Sequence, residues 1–370
     1  MPPRAVILGL VALVIVSLSG CGNDPVGPGA EPGPGPGAVI ELLVLNSTGQ
    51  TLAGFILSET LATDGPAIDL GAGFDGVSLS ATPTRAATTV SAFGGSRVLF
   101  ADLTTGAVQT TSFPAPEANA ADPSRPTFDD AGTVVFVAGR GSDAIYAASP
   151  GDAVASRVAT NVGTFVERVV PVGNELFALD AHLDDDGGTF APLGPGRIFV
   201  LEAGTVSATI DLPPEAMSPI DMVRVGNRLL VLMGGTFDPV TFAPNGDGGL
   251  VSVDITARSA GPFVPLGGNG VAIEAGADGL VYVTSTTDFL TLDARVLNPA
   301  AGTGGSLPLA MRDAAGTKVD CWAVSALDDG RRVCITFDFA SPGRLLVFDS
   351  DGEAVSEVPS GFGSTDLLLR

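Results

Sequence analysis

The stretch Leu42-Leu43-Val44-Leu45-Asn46-Ser47-Thr48-Gly49-Gln50-Thr51 is an apolar run that breaks into a polar turn ending in glycine. Strand-forming residues resume at 51–57, so the stretch predicts a tight β-hairpin. A copy stands near the far end of the chain, as Leu345-Leu346-Val347-Phe348-Asp349-Ser350-Asp351-Gly352. A hairpin that recurs across a chain indicates a fold built from repeated β units.

Strand signals dominate from residue 38 onward, in short β-branched or aromatic runs separated by Gly, Pro, Asn and Asp. This pattern, without an extended helical stripe, predicts an all-β fold. Further copies of the opening strand lie between the first and the last, and most of them end in a polar residue and a turn. They occupy residues 98–102, 145–148, 198–202, 251–254 and 289–293.

The best-matched pair of units defines the sequence period. Residues 172–179 match residues 225–232, and the strands that follow at 196–200 and 249–253 keep the same offset of 53 residues. A period of roughly 40 to 50 residues is typical of propeller blades, which are four-stranded sheets arranged around a channel. The seven copies therefore predict a seven-bladed β-propeller, with six or eight blades as the alternative.

The first blade must be completed by the other end of the chain. Nothing before residue 38 can supply inner strands for the opening hairpin, while Thr365-Asp366-Leu367-Leu368-Leu369 is left over at the C-terminus. We therefore expect the N- and C-terminal strands to share a blade. Such closure removes the exposed sheet edges that otherwise favour aggregation.

Residues 1–20 are predicted to be an export signal and not part of the folded domain. Met1-Pro2-Pro3-Arg4 is a positive start, and the apolar run 5–18 is short for a membrane span. The run ends in Leu18-Ser19-Gly20-Cys21, which resembles the lipobox of bacterial lipoprotein signal peptides. The resemblance implies cleavage before Cys21 and acylation of Cys21, with palmitate-type chains as a membrane anchor. The alternative is an ordinary secretory signal with a chance cysteine.

Residues 21–37 are rich in Pro and Gly and predict a tether, which leaves 38–370 as the propeller domain. Gly22 and Asn23, rather than an aspartate, follow the cysteine. By resemblance to the sorting pattern of Gram-negative lipoproteins, this favours an outer-membrane location. The expected localisation is therefore the cell envelope, outside the cytoplasm.

The composition is strongly acidic, with a formal net charge of −23. Binding to nucleic acid or adsorption to anionic lipid needs clustered Lys or Arg, so neither is expected, and membrane contact should occur through the lipid anchor only. Cys321 and Cys334 are expected to pair in an oxidising compartment. Different loop registers place them opposite, diagonal or on opposite faces, so the spacing alone leaves the pairing open.

Tyr282-Val283-Thr284-Ser285 resembles the Tyr-Val-Thr-Asn repeat of the bacterial YVTN-type, quinoprotein-like seven-bladed propellers. This copy departs from the motif at its last residue. The likeness covers roughly residues 40–370 and is architectural. Members of that family include surface lipoproteins, binding proteins and a few lactonases or dehydrogenases, so the resemblance implies a fold rather than an activity.

Two long loops, 180–195 and 233–248, fall in adjacent blades and form the candidate ligand site. They share a high density of acidic and aromatic residues, which are His182, Asp184, Asp185, Asp186, Phe190, Phe237, Asp238, Asn245 and Asp247. Carboxylate and amide oxygens on Gly-rich turns suit calcium. Asp184, Asp186, Asn245 and Asp247 are therefore candidate calcium ligands, and ordinary solvated acidic turns are the alternative.

Other chemistry finds little support in the sequence. The single histidine, His182, and the lack of a Gly-x-Ser-x-Gly elbow argue against a Ser-His-acid hydrolase. A lactonase-like metal site would need acids that converge on the central channel. Four acids lie near the starts of inner strands without an assignable role, namely Glu167, Asp221, Asp320 and Asp366. Trp322, in another inner strand, is either a core residue or a ligand-stacking residue.

These patterns predict a lipid-anchored propeller that acts as a binding or scaffolding module through the two acidic loops. The ligand is an unidentified protein, glycan or small molecule. The alternative is a metal-dependent hydrolase of the lactonase type that uses the same face.

Overall fold

The computed structural model describes residues 40–58, 62–71, 76–91, 95–115, 122–184, 191–299, 306–337 and 341–369. The predicted signal peptide, the tether and Cys21 lie outside these residues. Within the described part of the chain, no helix is long and apolar enough to cross a membrane.

The described strands form seven four-stranded antiparallel sheets that are arranged in a ring, which confirms the predicted seven-bladed β-propeller. Blade 1 contains β1 (Ile40–Asn46), β2 (Thr51–Leu57), β3 (Ala62–Asp69) and β30 (Ser364–Leu369). Blade 2 contains β4 (Gly76–Ala81), β5 (Arg85–Val90), β6 (Arg97–Asp102) and β7 (Val108–Ser112). Blade 3 contains β8 (Thr127–Phe128), β9 (Val135–Gly139), a 3-10 turn (Arg140–Ser142), β10 (Ala144–Ala148) and β11 (Ser156–Thr160).

Blade 4 contains β12 (Val166–Val172), β13 (Glu175–Asp180), β16 (Arg197–Glu202) and β17 (Thr205–Asp211), with a small hairpin of β14 (Leu183–Asp184) and β15 (Ala191–Pro192). Blade 5 contains β18 (Pro219–Val225), β19 (Arg228–Met233), β20 (Gly249–Asp254) and β21 (Ser259–Pro265). Blade 6 contains β22 (Asn269–Ala275), β23 (Val281–Thr286), β24 (Leu292–Leu297) and β25 (Leu307–Pro308). Blade 7 contains β26 (Ala323–Ala326), β27 (Arg332–Ile335), β28 (Gly343–Phe348) and β29 (Ala354–Gly361).

The hydrophobic core lies between neighbouring blades, and β19 shows how the sequence builds it. Leu229, Val231 and Met233 pack against blade 4, whereas Leu230 and Leu232 pack against blade 6. Successive side chains of a strand point to opposite faces of its sheet, so a strand covered on both sides must be apolar throughout. This is why the inner blade strands consist largely of unbroken apolar runs.

The ring closes as the sequence predicts. β30 pairs antiparallel with β1, with Leu43 opposite Leu368 and Val44 opposite Leu367. The innermost strand of blade 1 therefore comes from the C-terminus. The backbone N–H of Ser47 also donates to the carbonyl of Gly363, which joins the two ends beyond the sheet.

The opening hairpin is not equivalent to its later copies, and this part of the sequence interpretation is wrong. β1 and β2 are the second and third strands of blade 1, whereas β6, β10, β16, β20, β24 and β28 are third strands that lead into a fourth. The cause is that the C-terminus supplies one inner strand rather than two, so β1 lies one place further in and β3 forms the outer edge. The copy expected at 289–293 is also displaced, because β24 begins at Leu292.

The connections give the ring two different faces. Loops between second and third strands, and connections between blades, lie on one side, here called the loop face. It carries residues 181–184, 191–196, 234–248 and 287–291 among others. Loops between third and fourth strands, such as 149–155, lie on the opposite face.

Candidate functional site

The acidic residues of the 234–248 loop act as acceptors within the loop itself. Asp238 Oδ1 accepts the backbone N–H groups of Val240 at 2.9 Å and Thr241 at 2.7 Å, and it also accepts the Thr241 hydroxyl at 2.9 Å. These hydrogen bonds lower the pKa of Asp238 because they stabilise its charged form. Asp238 therefore fixes a turn.

Asp247 has the same kind of role at the other end of the loop. Its Oδ1 accepts the backbone N–H of Thr236 at 2.7 Å, and its Oδ2 accepts the Thr236 hydroxyl at 2.6 Å. Asn245 donates its side-chain amide to the same hydroxyl at 2.8 Å. Asn269, from β22, bonds both Gly246 and Thr236 and so ties the loop to blade 6. Asn245 and Asp247 therefore both hydrogen-bond Thr236.

The neighbouring loop of blade 4 is described in part. His182 Nδ1 lies 3.1 Å from the carbonyl oxygen of Pro195, and Asp184 pairs with Ala191 in the β14–β15 hairpin. Asp185, Asp186 and Phe190 lie outside the described residues. Among those described, no group of three or more His, Cys, Asp or Glu side chains is placed to hold a metal. Calcium binding by Asp184, Asp186, Asn245 and Asp247 stays a prediction.

A pair of matching turns projects apolar side chains from the loop face. In blade 6, Asp288 Oδ1 accepts the N–H groups of Leu290 at 2.9 Å and Thr291 at 2.7 Å, which repeats the arrangement around Asp238 in blade 5. The tip residue of each turn is solvent-exposed, with Val240 at 82% and Leu290 at 83%. The shared pattern is Asp-x-apolar-Thr, and this signal in the sequence could have found the pair.

An aromatic contact links these two turns. The rings of Phe237 and Phe289 stack with centroids 5.7 Å apart and planes 6° apart. These rings and the exposed apolar side chains of the same face are here called the apolar loop patch, which consists of the half-buried Phe237 and the exposed Leu193, Val240, Phe242, Phe289 and Leu290. The patch extends over blades 4, 5 and 6. The sequence predicts Phe237 and Asp238 as site residues, whereas it predicts a strand at Phe289 and Leu290, which lie in the turn before β24.

A second constellation fills the central channel. Arg125, just before β8 in blade 3, donates from Nη1 to Asp221 Oδ2 at 2.5 Å. Asp221 lies in β18 of blade 5, so the bond crosses the channel rather than joining adjacent blades. Arg168 in β12 approaches the other oxygen of Asp221, Oδ1, at 3.7 Å. We call the buried charged residues here the channel cluster, namely Arg125, Arg140, Glu167, Arg168, Asp221, Glu274 and Asp366.

The cluster reaches solvent at the loop face through Asp122. Arg140, at the end of β9, lies 3.3 Å from both Glu167 Oε2 and Asp122 Oδ2. The Asp122 side chain is 35% exposed, and its Oδ1 accepts the hydroxyl of Ser91 at 2.6 Å. The Arg140 guanidinium also lies over the ring of Phe165, at 5.6 Å from its centroid. These residues form the channel mouth.

Burial dominates the acid–base properties of the cluster. It raises the pKa of Glu167 to about 7, although the charges of Arg140 and Arg125 oppose the rise. Burial likewise raises the pKa of Asp221 despite Arg125 and Arg168. The pKa of Glu274 is raised well above its ordinary value by burial and by the negative charges of Asp366 and Asp221.

Three of the four inner-strand acids belong to this cluster. Glu167 and Asp221 contact its arginines, while Asp366 Oδ2 accepts the backbone N–H of Leu79 at 2.5 Å and so joins β30 to β4. Asp320 does not belong to it. It is half-exposed near Lys318 and accepts the N–H of Leu292.

The arginines of the cluster were missed by sequence reasoning. A signal was present, since Glu167 and Arg168 interrupt the apolar run of β12 in a chain with only 18 basic residues. Charged side chains in a strand buried on both faces must find partners, and no spacing rule identifies partners that come from other blades.

Three further residues singled out in the sequence lie in the core of blade 7. A disulfide joins Cys321 to Cys334, with Cα atoms 5.6 Å apart. Trp322 is buried and packs against Phe337, with ring centroids 4.8 Å apart. Of the two alternatives for Trp322, the structure supports the core residue.

No family model and no curated protein matches the chain. Several solved structures do resemble its fold. A candidate 6-phosphogluconolactonase from Bacteroides fragilis has a TM-score of 0.62 at 10% identity, over 91% of this chain and 99% of that one. A protein from Lactobacillus plantarum has a TM-score of 0.59 at 12% identity, over 90% and 100%. Kuenenia stuttgartiensis hydrazine synthase has a TM-score of 0.56 at 15% identity, over 76% and 86%. At these identities the likeness establishes the β-propeller fold alone.

Proposed function

We propose that this protein is an exported, lipid-anchored propeller of the YVTN type that binds a protein partner through its loop face. The observation that carries the proposal is the apolar loop patch, in which two matching turns hold Val240 and Leu290 almost fully in solvent. The Phe237–Phe289 stack makes the apolar surfaces of the two turns contiguous, and contiguous exposed apolar surface is typical of an interaction site.

The turns behind the patch support binding because they fix its shape in advance. Asp238 and Asp288 each accept two backbone N–H groups, and the Phe237–Phe289 stack joins the two turns. A surface that is ordered before binding loses less conformational entropy when the partner arrives. The acidic residues predicted to contact a ligand would thus act indirectly, as supports for apolar contacts.

The shape of the patch favours a protein over a small molecule or a glycan. Small molecules are usually enclosed in concave pockets, whereas Val240 and Leu290 project from the tips of turns. Such tips fit an apolar groove on another protein. The metal-dependent hydrolase has weaker support, because Asp247 already accepts hydrogen bonds from Thr236 with both oxygens.

The binding face is tested by placing a photo-crosslinking amino acid at single positions in the host cell. Val240 and Leu290 are the test positions, and Val154 is the matched control, since it is 51% exposed on the opposite face. We expect a discrete crosslinked product from positions 240 and 290 and none from 154. Equal products at all three positions, or none at any, would refute a partner on the loop face.

Export and anchoring are tested separately with Cys21→Ala. The lipobox at 18–21 and the disulfide between Cys321 and Cys334 support an envelope location. We expect the variant to leave the membrane fraction while it keeps the melting temperature of the wild type. Retention of Cys21→Ala in the membrane fraction would contradict the lipid anchor.

A further inference from the structure

Two buried arginines of the channel cluster have guanidinium donors without an acceptor among the described residues. Arg125 and Arg140 are each 2% exposed. Arg125 bonds Asp221 through Nη1, but its Nε and Nη2 have no hydrogen-bond partner among the described residues. Arg140 bonds Glu167 through Nη1, and its Nη2 has no such partner. Buried donors of this kind are rare because a buried polar group without a hydrogen-bond partner destabilises the fold.

The free edge of Arg125 has the geometry that recognises planar anions. Nε and Nη2 of an arginine lie side by side and bind both oxygens of a carboxylate in a fork-like pair. Because Arg125 crosses the channel to reach Asp221, its guanidinium lies in the channel rather than between sheets. Arg140 Nη1 lies 3.3 Å from Glu167 Oε2, and the positive charges of both arginines oppose the rise in the pKa of Glu167.

We propose that the channel mouth binds a small monocarboxylate anion, held by the guanidinium groups of Arg125 and Arg140. This site is separate from the apolar loop patch, since Arg140 and Asp122 belong to blade 3 and its entry while the patch lies over blades 4 to 6. Asp122, whose side chain is 35% exposed at the loop face, marks where the anion enters.

The charges around Glu167 determine when the anion binds. Arg140 and Arg125 face Glu167 with positive charge, and Asp122 and Asp221 face it with negative charge. On the adjacent strand β13, Asp180 is bound to Arg197 and to the N–H groups of Thr164 and Phe165. An added anion would repel an ionised Glu167, so the neutral form of Glu167 should favour binding. Its pKa of about 7 makes that form available near neutral pH.

Calorimetric titration of acetate into the full-length chain in detergent tests the site, at constant ionic strength. The neutral fraction of Glu167 falls from about 0.9 at pH 6 to about 0.1 at pH 8, so the apparent acetate affinity should fall about tenfold. Glu167→Gln should remove this dependence and bind acetate at pH 8 as tightly as the wild type does at pH 6. Arg140→Gln should abolish binding, and Arg258→Gln, at an exposed arginine, should change nothing.

Several outcomes would overturn the proposal. These are a wild type that binds no acetate at either pH, a folded Arg140→Gln variant that still binds it, and a Glu167→Gln variant with the wild-type pH dependence. If Arg140→Gln does not fold, the Glu167→Gln comparison decides alone. Binding of phosphate in preference to acetate would show that the ligand class is wrong.

Discussion

The acids of the 234–248 loop and the acids of the channel cluster have the same chemistry and opposite roles. Asp238 and Asp247 accept hydrogen bonds from residues within about a dozen positions of themselves. Asp221 bonds Arg125, which is 96 positions away. The loop acids shape local turns in contact with water, whereas the channel acids join innermost strands of different blades out of contact with water. A dense local run of carboxylates is thus a weaker sign of a site than scattered carboxylates that the fold gathers.

Because the loop acids contact water and the channel acids do not, substituting them should change the free energy of unfolding by different amounts. Losing an exposed side-chain hydrogen bond changes stability by about 1 kcal/mol, because water replaces the lost partner. Removing one member of a buried ion pair costs about 3–5 kcal/mol, because a charge is left buried and uncompensated. Four changes, from the most severe to the mildest, test this contrast.

Deleting residues 365–370 should have the largest effect. It removes most of β30, the partner of β1, together with Asp366, which accepts the N–H of Leu79. The deletion exposes the edge of β1 and opens the channel cluster, so we expect loss of the cooperative thermal transition, measured by circular dichroism. Asp366→Asn in the full-length chain separates the loss of the charge from the loss of the strand. A truncated chain that melts like the intact one would disprove the closure of the ring.

Asp221→Ala should come next, with a loss of about 3–5 kcal/mol in the free energy of unfolding measured with urea. The substitution leaves Arg125 and Arg168 buried opposite a cavity. Asp247→Ala is the matched change in the loop and should cost only about 1 kcal/mol. Equal losses for the two variants would show that the channel cluster is not the stronger of the two networks.

The same contrast explains what the sequence could reveal. Blade number and ring closure were predictable, because each blade repeats local strand and turn chemistry and because residues 365–369 had no other partner. The position of the opening hairpin within its blade was not predictable. The turn Asn46-Ser47-Thr48-Gly49 connects second and third strands as well as it connects third and fourth strands. Turn chemistry specifies a hairpin and not its position in the blade.

The candidate site was predicted less well for the same physical reason. The loop acids stood out because they are close together in sequence, yet Asp238 and Asp247 act within their own loop. The sequence assigns no role to Glu167, Asp221 or Asp366, because their partners come from other blades that only the closed ring brings to the axis. Pairing across a channel is a property of the closed fold, and no local period encodes it.

Opposite pH dependence should distinguish the two regions. The pKa of Glu167 is raised to about 7 in the folded state, so its contribution to stability is complete below about pH 4.5 and is lost as the pH rises through 7. The loss amounts to about 3 kcal/mol for a shift of this size. Asp238 has a lowered pKa, so its contribution is present above about pH 4 and is lost in acid.

The Glu167→Gln variant tests the pH dependence of stability that we attribute to the channel cluster. Urea unfolding between pH 5 and pH 8 should show stability falling with pH in the wild type and a flatter profile in the variant. Asp238→Asn should leave that range unchanged and alter the profile only in acid. A wild-type profile that rises from pH 5 to pH 8, or a variant that matches it, would mean that Glu167 does not carry the dependence.

Adding calcium should have the smallest effect on stability of the four changes. The measurement decides whether the 234–248 loop is a hydrogen-bonded turn or a metal site. Both oxygens of Asp247 already accept hydrogen bonds from Thr236, so a cation would have to displace them at a cost similar to what it gains. We therefore expect millimolar calcium to leave the melting temperature of the wild type unchanged. Asp247→Ala should lower that temperature slightly whether or not calcium is present, and Asp184→Ala tests the candidate ligand in the neighbouring loop. If calcium instead raised the melting temperature of the wild type and either substitution removed the rise, the loop acids would be ligands, and their hydrogen bonds to Thr236 would describe only the metal-free turn.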